Sequence, residues 1–385
     1  MNTKEIGEIR RRQRRDRSNM TAVYGCYVND KQEIISQFHQ SLGLMPENEA
    51  EKYFALFRRT LGGTLGKNLI DITFSTAQVA DSAEHKLLMQ LRSSRLGDEE
   101  TRMAFYQKVM ESLSLEGNYL ILLGCDSYDV PFKGGDGQLS TDNADENYTY
   151  ILCAICPVKQ TKANLHYVPE EKQFHDGNMA SVVSAPELGF LFPAFDQRAT
   201  NIYNALYFNK SVKENHAAFA EAVFHAPIPE PAFQQKQSFQ ALLTRTLEEE
   251  CTLDVVQTVH DSLCQQIQLH KESKLPEALQ VSKEQIKQTL SDCGVSEQHL
   301  AKFSVDYDEA FGFEAELHPA NVIDHKKIEI STPDVIIKVA PDRSDLIQTR
   351  QIGGVNYILI NADADVQVNG VSIHVGQGEA TLVEA

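Results

Sequence analysis

The sequence predicts an α+β fold: a mixed sheet with helices, followed by a helical region and a small C-terminal β domain. Three observations predict it. Helical and strand periodicities interleave over residues 1–228, helix-length apolar stripes dominate 229–315, and only short strand-like runs occur over 316–385. The 385 residues suffice for two or three domains with real cores, and those three ranges are the expected ones.

Residues 3–18 read as a short helix, with Ile6 and Ile9 on one edge and arginine over much of the rest. Residues 22–28 and 33–38 flank the polar turn Asn29-Asp30-Lys31-Gln32, a hairpin pattern. After Pro46, acidic Glu47, Glu49 and Glu51 precede a stripe of Tyr53, Phe54, Leu56, Phe57 and Leu61 and a late Arg58-Arg59, a charge order that suits a helix dipole. Gly62-Gly63 ends that helix, and Ile70, Ile72 and Phe74 then alternate with Asp71 and Thr73 as a half-buried strand. Residues 80–115 predict two helices broken near Gly97, striped by Leu87, Leu88 and Leu91 and by Phe105, Val109 and Leu113. Residues 119–123 are apolar on both faces, as a central strand must be. A polar loop over 132–147 leads to a second apolar strand at 148–158, a hairpin at 165–174 and further strands at 188–195 and 202–208, with a helix over 200–208 as the alternative for the last.

Helical patterns follow at 214–225, 233–250 and 253–271, with proline-marked linkers at 227–231 and around Pro276. Ser282 with Gln285 opens another helix as a capping box, and Gly294 closes it. Ser296 starts the last helix, which carries Leu300, Phe303, Tyr307 and Phe311. Short strands are expected at 328–330, 335–339, 357–360, 366–368 and 371–375. Asn369-Gly370 is the strongest hairpin turn among them, because a type I′ turn needs two positive φ angles.

Charge is the sharpest functional signal. The net charge of −18 divides into a first twenty residues at +4 and a remainder at −22. Arg10, Arg11, Arg12, Arg14, Arg15 and Arg17 fall within eight positions. Their planar guanidinium forks suit phosphate, and an anionic lipid surface or an acidic protein suits them too. The alternative is an arm folded back onto its own acidic body. The apolar and aromatic content excludes a disordered chain, and no window approaches the ~18 apolar residues of a membrane helix. The basic start lacks an apolar stretch, so no secretory signal is expected. Seven irregularly spaced cysteines fit reduced cytoplasmic thiols better than a disulfide framework.

The candidate catalytic motifs are weak. Gly62–Lys67 has phosphate-loop composition with the wrong spacing, Asn68 in place of Ser/Thr, and a helix-to-strand order. Cys153 and Cys156 form a lone C-x-x-C that, on a strand, points to opposite faces. Asp126 and Asp129 follow the strand at 119–123 and are candidates for metal or acid/base work, as are Asp196 and Arg198 after another apolar strand. Asn361, Asp363 and Asp365 mimic calcium-loop ligands but lack the glycine and glutamate that follow. Residues 286–303 are patterned like a helix-turn-helix, yet Ser296, Glu297, Gln298, His299 and Lys302 carry little positive charge. No metal site and no cofactor are expected.

The blocks GNYLILLGCDSYDVPFK at 117–133, YILCAICPVK at 150–159, LGFLFPAFDQRATNIYNALYF at 188–208 and STPDVIIKVAPDRSDLIQTRQIGGVNYILI at 331–360, with the opening KEIGEIRRR, resemble the uncharacterised bacterial family known as domain of unknown function 4317. The resemblance runs over nearly the whole chain. It implies a cytoplasmic bacterial origin and a shared fold, and it supplies no mechanism. The expectation is a non-enzymatic binding protein that engages a protein or nucleic acid through the Arg-rich segment. A metal-assisted hydrolase built on Asp126 and Asp129 and an oligomeric assembly subunit are the alternatives.

Overall fold

The computed structural model describes residues 1–133, 139–140, 146–161, 164–177, 180–226, 228–273, 275, 277–362, 366–368 and 371–373. The chain is α+β and forms two compact units. The first comprises Met1–Gln237 with Lys274–Gln280, and the second Ser238–Ser273 with Val281–Ala385.

In the first unit the chain runs α1 (Thr3–Arg12), β1 (Ala22–Val28), β2 (Ile34–Ser41), α2 (Glu47–Thr60), β3 (Leu69–Thr73), α3 (Thr76–Asp81), α4 (Ala83–Ser93), α5 (Glu99–Ser112) and β4 (Tyr119–Val130). It continues through β5 (Phe132–Lys133), β6 (Leu139–Ser140), β7 (Glu146–Gln160), β8 (Asn164–Val168), β9 (Gln173–Gly177), β10 (Ser181–Val183), β11 (Leu188–Phe192), β12 (Ala194–Asp196), β13 (Ala199–Asn201), β14 (Asn204–Asn209) and α6 (Ala217–Phe224), and reaches α7 (Ala232–Leu247). Eight strands form one sheet in the order β2-β1-β4-β7-β11-β14-β3, with β10 pairing the far end of β7. Each of these pairings is antiparallel.

Alternation along each strand feeds two cores. On β4, Tyr119, Ile121 and Leu123 enter one core with Leu88, Leu91, Phe105, Val109 and Phe219 of α4, α5 and α6. Leu120, Leu122 and Tyr128 enter the other with Ile6 and Ile9 of α1 and Phe54 and Phe57 of α2. Helices therefore cover both faces, which is why the sequence is apolar without a break at 119–123 and 150–156. Each such leucine or phenylalanine contributes roughly 1.5–3 kcal/mol by burial. Where β11 crosses β7 the backbones are so close that a Cβ on Gly189 would lie 2.3 Å from the Cys153 carbonyl oxygen.

In the second unit α8 (Leu253–Ser273), α9 (Lys283–Asp292), α10 (Glu297–Phe311) and α11 (Pro319–Val322) share a core of Leu263, Leu290, Phe303 and Tyr307 with Leu242 and Leu247 of α7. The Ser282 capping box forms as expected, and Gly294 takes φ +84° at the end of α9. Three two-stranded pairs follow: β15 (Ile328–Ser331) with β16 (Ile336–Val339), β17 (Ile347–Ile352) with β18 (Val355–Ile360), and β19 (Val366–Val368) with β20 (Val371–Ile373).

The structure departs from the sequence expectation in several places. The first helix, expected over residues 3–18, ends at Arg12, and residues 14–17 form a turn. The strands expected at 188–195 and 202–208 are interrupted at Pro193 and at Ile202-Tyr203. Residues 76–112 hold three helices, because the Ser82 side chain accepts from the His85 amide and caps a new start. The central strand runs to Val130, seven residues beyond 123, so Asp126 and Asp129 lie inside it and not on a following turn. Residues 347–352, too polar to read as a strand, pair with β18 through Gly353-Gly354, both at positive φ. The Asn369-Gly370 turn, Asp363, Asp365, Pro227, Pro276 and most of the 132–147 loop lie outside the described residues.

Candidate functional site

The arginine segment is not a loose arm. Asn2 caps α1, accepting from the amides of Lys4 and Glu5 while the Glu5 carboxylate accepts from the Asn2 amide. Ile6 and Ile9 are buried in the core beneath. Glu8 accepts two hydrogen bonds from Arg198 Nη1, at 3.1 and 3.0 Å, and one from the Tyr128 hydroxyl at 2.6 Å. Burial, and then this bond to Glu8, raises the Tyr128 phenol above its ordinary range. The Arg12 guanidinium stacks 4.0 Å over the Tyr128 ring and donates to the Ser127 carbonyl.

The end of the helix is pinned more firmly still. Gln13 is fully buried, donating to Tyr150 Oη at 2.7 Å, while its own carbonyl accepts from Arg58 at 2.6 Å. Asp126, also buried, accepts from Tyr150 Oη (2.8 Å), Ser18 Oγ (2.9 Å), the Asn19 amide (2.8 Å) and the Ser127 amide (2.8 Å). A buried carboxylate is tolerated when it is hydrogen-bonded in this way. Burial and then the Asp126 charge hold the Tyr150 phenol well above its ordinary range. Asp126 is therefore the anchor that ties the residues after α1 to β4.

The carboxylates proposed for metal chemistry are not brought together. Asp126 and Asp129, three apart on a strand, point to opposite faces. Asp129 is exposed and accepts from Asn147 across the ladder. Asp196 accepts from Asn201, whereas Arg198, at the left-handed turn between β12 and β13, reaches Glu8 and the Pro131 carbonyl. Among the described residues no group of three or more His, Cys, Asp or Glu side chains is placed to hold a metal ion. Cys153 and Cys156 face the two different cores, with burial raising both thiols.

The helix-turn-helix pattern resolves into a plain helical hairpin. In the second unit its presumed reading face is occupied: Lys302 pairs with Glu248, and His299 and the Ser296 amide pair with Glu250.

Five arginines point away from the packed side of α1 and its following turn. Arg10, Arg11, Arg14, Arg15 and Arg17 are exposed. Arg17 has Asp16 at 3.6 Å, and among the described residues no carboxylate lies within ion-pair distance of the other four. Arg14 and Arg15 border a basin of about 680 Å³ that also holds Arg58, Asp16, Glu47 and Glu51. Glu51 is neutralised there by Arg58 at 2.6 Å. Arginine density marked this surface in the sequence, but nothing marked Glu8, Gln13 or Ser18 as the residues that would fix it.

Among the described residues no helix is long and apolar enough to cross a membrane. A comparison with curated proteins gives no match. The family model described as domain of unknown function (DUF4317) matches residues 1–371, a range that contains every block of the sequence resemblance. The chain belongs to the DUF4317 family.

Proposed function

We propose that the protein is a non-enzymatic binding protein that takes hold of a nucleic-acid backbone through Arg10, Arg11, Arg14, Arg15 and Arg17. The observation that supports this reading is a contrast across α1 and the turn that follows it. Its packed side is locked by Ile6, Ile9, Glu8 and Arg12, while the remaining arginines stay exposed and, Arg17 apart, free of carboxylate partners among the described residues. A fixed array of guanidinium forks is pre-organised for phosphate oxygens at little entropic cost. The acidic remainder of the chain, at −22, limits contact to this one surface.

The test is fluorescence anisotropy against single-stranded RNA and duplex DNA over a salt series. Binding through four or five phosphates gives a slope of log K against log salt of roughly −3 to −4.5. Each Arg→Gln exchange among Arg10, Arg11, Arg14 and Arg15 lowers that slope by about 1, with little effect on sequence preference. A slope near zero, or a quadruple variant that binds as well as the parent, removes the reading.

A second reading, an assembly subunit, has its own observation. Ile336, Ile352, Val355 and Val371 in the C-terminal strand pairs are each more than half exposed. Isolated two-stranded pairs are marginal in water and gain most from a covering surface. Light scattering over a concentration series tests it. Association that Val355→Glu abolishes supports assembly, and a monomer at all concentrations ends it.

A further inference from the structure

The second helix has a face that its own core leaves open. Phe54 and Phe57 turn α2 toward the sheet. The adjoining stripe of Lys52, Tyr53, Leu56 and Arg59, at spacings that place side chains side by side on a helix, borders a groove of about 630 Å³. That volume falls within the roughly 300–1,000 Å³ of small-molecule sites.

The sheet supplies the floor in register. Ser36 on β2 stands opposite Tyr27 on β1, and Tyr27 opposite Leu120 on β4. One row along, the Phe38 ring occupies the place a side chain on Gly25 would take, since a Cβ there would lie 2.1 Å from the ring. Phe38 therefore lies across the floor because residue 25 has no side chain. Val158, with Val182 and Val183 of β10, completes the apolar wall, and both β10 valines are at least 40% exposed.

The charges are asymmetric along this groove. Glu49 sits in the first turn of α2 and Arg59 ten residues later, roughly 15 Å along the axis at 1.5 Å per residue. Lys52 and Arg59 are exposed, and among the described residues neither forms an ion pair. Arg59 also reaches toward the sheet. Burial pushes the Cys156 thiol up to about 12, and the Arg59 guanidinium acts against that shift. Glu49 and Lys52, one turn apart, offset each other at one end of the apolar channel, and Arg59 stands as the cation at the other.

We propose that this groove binds an amphipathic monocarboxylate, with an unbranched hydrocarbon chain along the Tyr27–Leu120–Phe38 floor and its carboxylate at Arg59. An apolar body with a single charged anchor is the usual division of labour in such sites. The Glu49–Lys52 end carries no net charge, so Arg59 sets the direction of the chain.

Isothermal titration calorimetry on the full chain tests this with decanoate below its micelle concentration, 1-decanol and decyltrimethylammonium as probes. Decanoate is expected to saturate at one molecule per chain, with 1-decanol about tenfold weaker and the cation weaker still. Arg59→Gln lowers decanoate affinity about five- to tenfold and leaves 1-decanol unchanged. Val183→Asp, an exposed position whose variant retains the parental circular dichroism spectrum, weakens both. No saturable heat with decanoate overturns the proposal. So does an Arg59→Gln variant that binds decanoate as tightly as the parent, or a Val183→Asp variant unaffected in both. Co-sedimentation with phosphatidylglycerol vesicles without decanoate binding also overturns it, in favour of a membrane surface.

Discussion

The β4–β7 ladder and the C-terminal strand pairs both place isoleucine and valine on antiparallel strands, yet these side chains end in opposite environments. Ile121, Ile151 and Ile155 are fully buried, whereas Ile336 and Val371 are 63% and 65% exposed. The difference lies in what covers them. β4 and β7 have helices on both faces, while among the described residues β15–β16, β17–β18 and β19–β20 each stop at two strands. Strand pattern alone therefore reports pairing and not burial, and burial is what confers stability.

The largest expected effect would sharpen this contrast most. Leu122→Ala in the covered sheet should cost about 2–5 kcal/mol in urea unfolding followed by circular dichroism, with Ile352→Ala within about 0.5 kcal/mol. Equal losses at the two positions would break the contrast and point to a cover over the pairs in solution. Gly189→Ala comes next, at about 3 kcal/mol, because its Cβ meets the Cys153 carbonyl at a distance no rotamer relieves. Within β4 itself, Asp126→Asn should cost about 2 kcal/mol through its lost charge-assisted bonds, and Asp129→Asn within about 0.5 kcal/mol.

The smallest effect is electrostatic. Lys108 donates to Glu84 at 2.9 Å and to the Ala222 carbonyl, tying α5 to α4 and α6. The hydrogen bond from Lys108 holds the Glu84 carboxyl below its ordinary 4.5. A depressed carboxylate contributes stability above its unfolded pKa and loses it as the pH falls through the folded one. Lys108→Met should therefore lower stability by under about 1 kcal/mol at neutral pH and reduce its fall below about pH 4.5. An unchanged acid limb of the stability profile would show that the pair contributes nothing.

Much of the sheet was legible in the sequence because its residues obey one period. Ile70 and Ile72 alternate with polar neighbours on an edge strand, and 119–123 is apolar throughout at the centre. The length of β4 was hidden. Asp126, Ser127 and Asp129 have turn chemistry, and donors brought from distant Ser18, Asn19 and Tyr150 make Asp126 compatible with a buried strand. The arginine surface was visible as composition, but whether it folded onto acidic groups depended on Glu8 choosing Arg198, a partner 190 residues away. The groove beside α2 was not legible, because its floor joins β1, β2 and β4 and its wall comes from β10.

The strand order also sets a sequence in time. The β4–β7 ladder closes locally, with Asn147 bonded to Asp129 across 18 residues, whereas β14 meets β3 with Asn204 bonded to Thr73 across 131. Loop-closure entropy makes the first contact early and the second late. The β1–β2 and β4–β7 hairpins should therefore form before β3 docks, leaving that edge strand the last to gain amide protection in pulse-labelled hydrogen exchange.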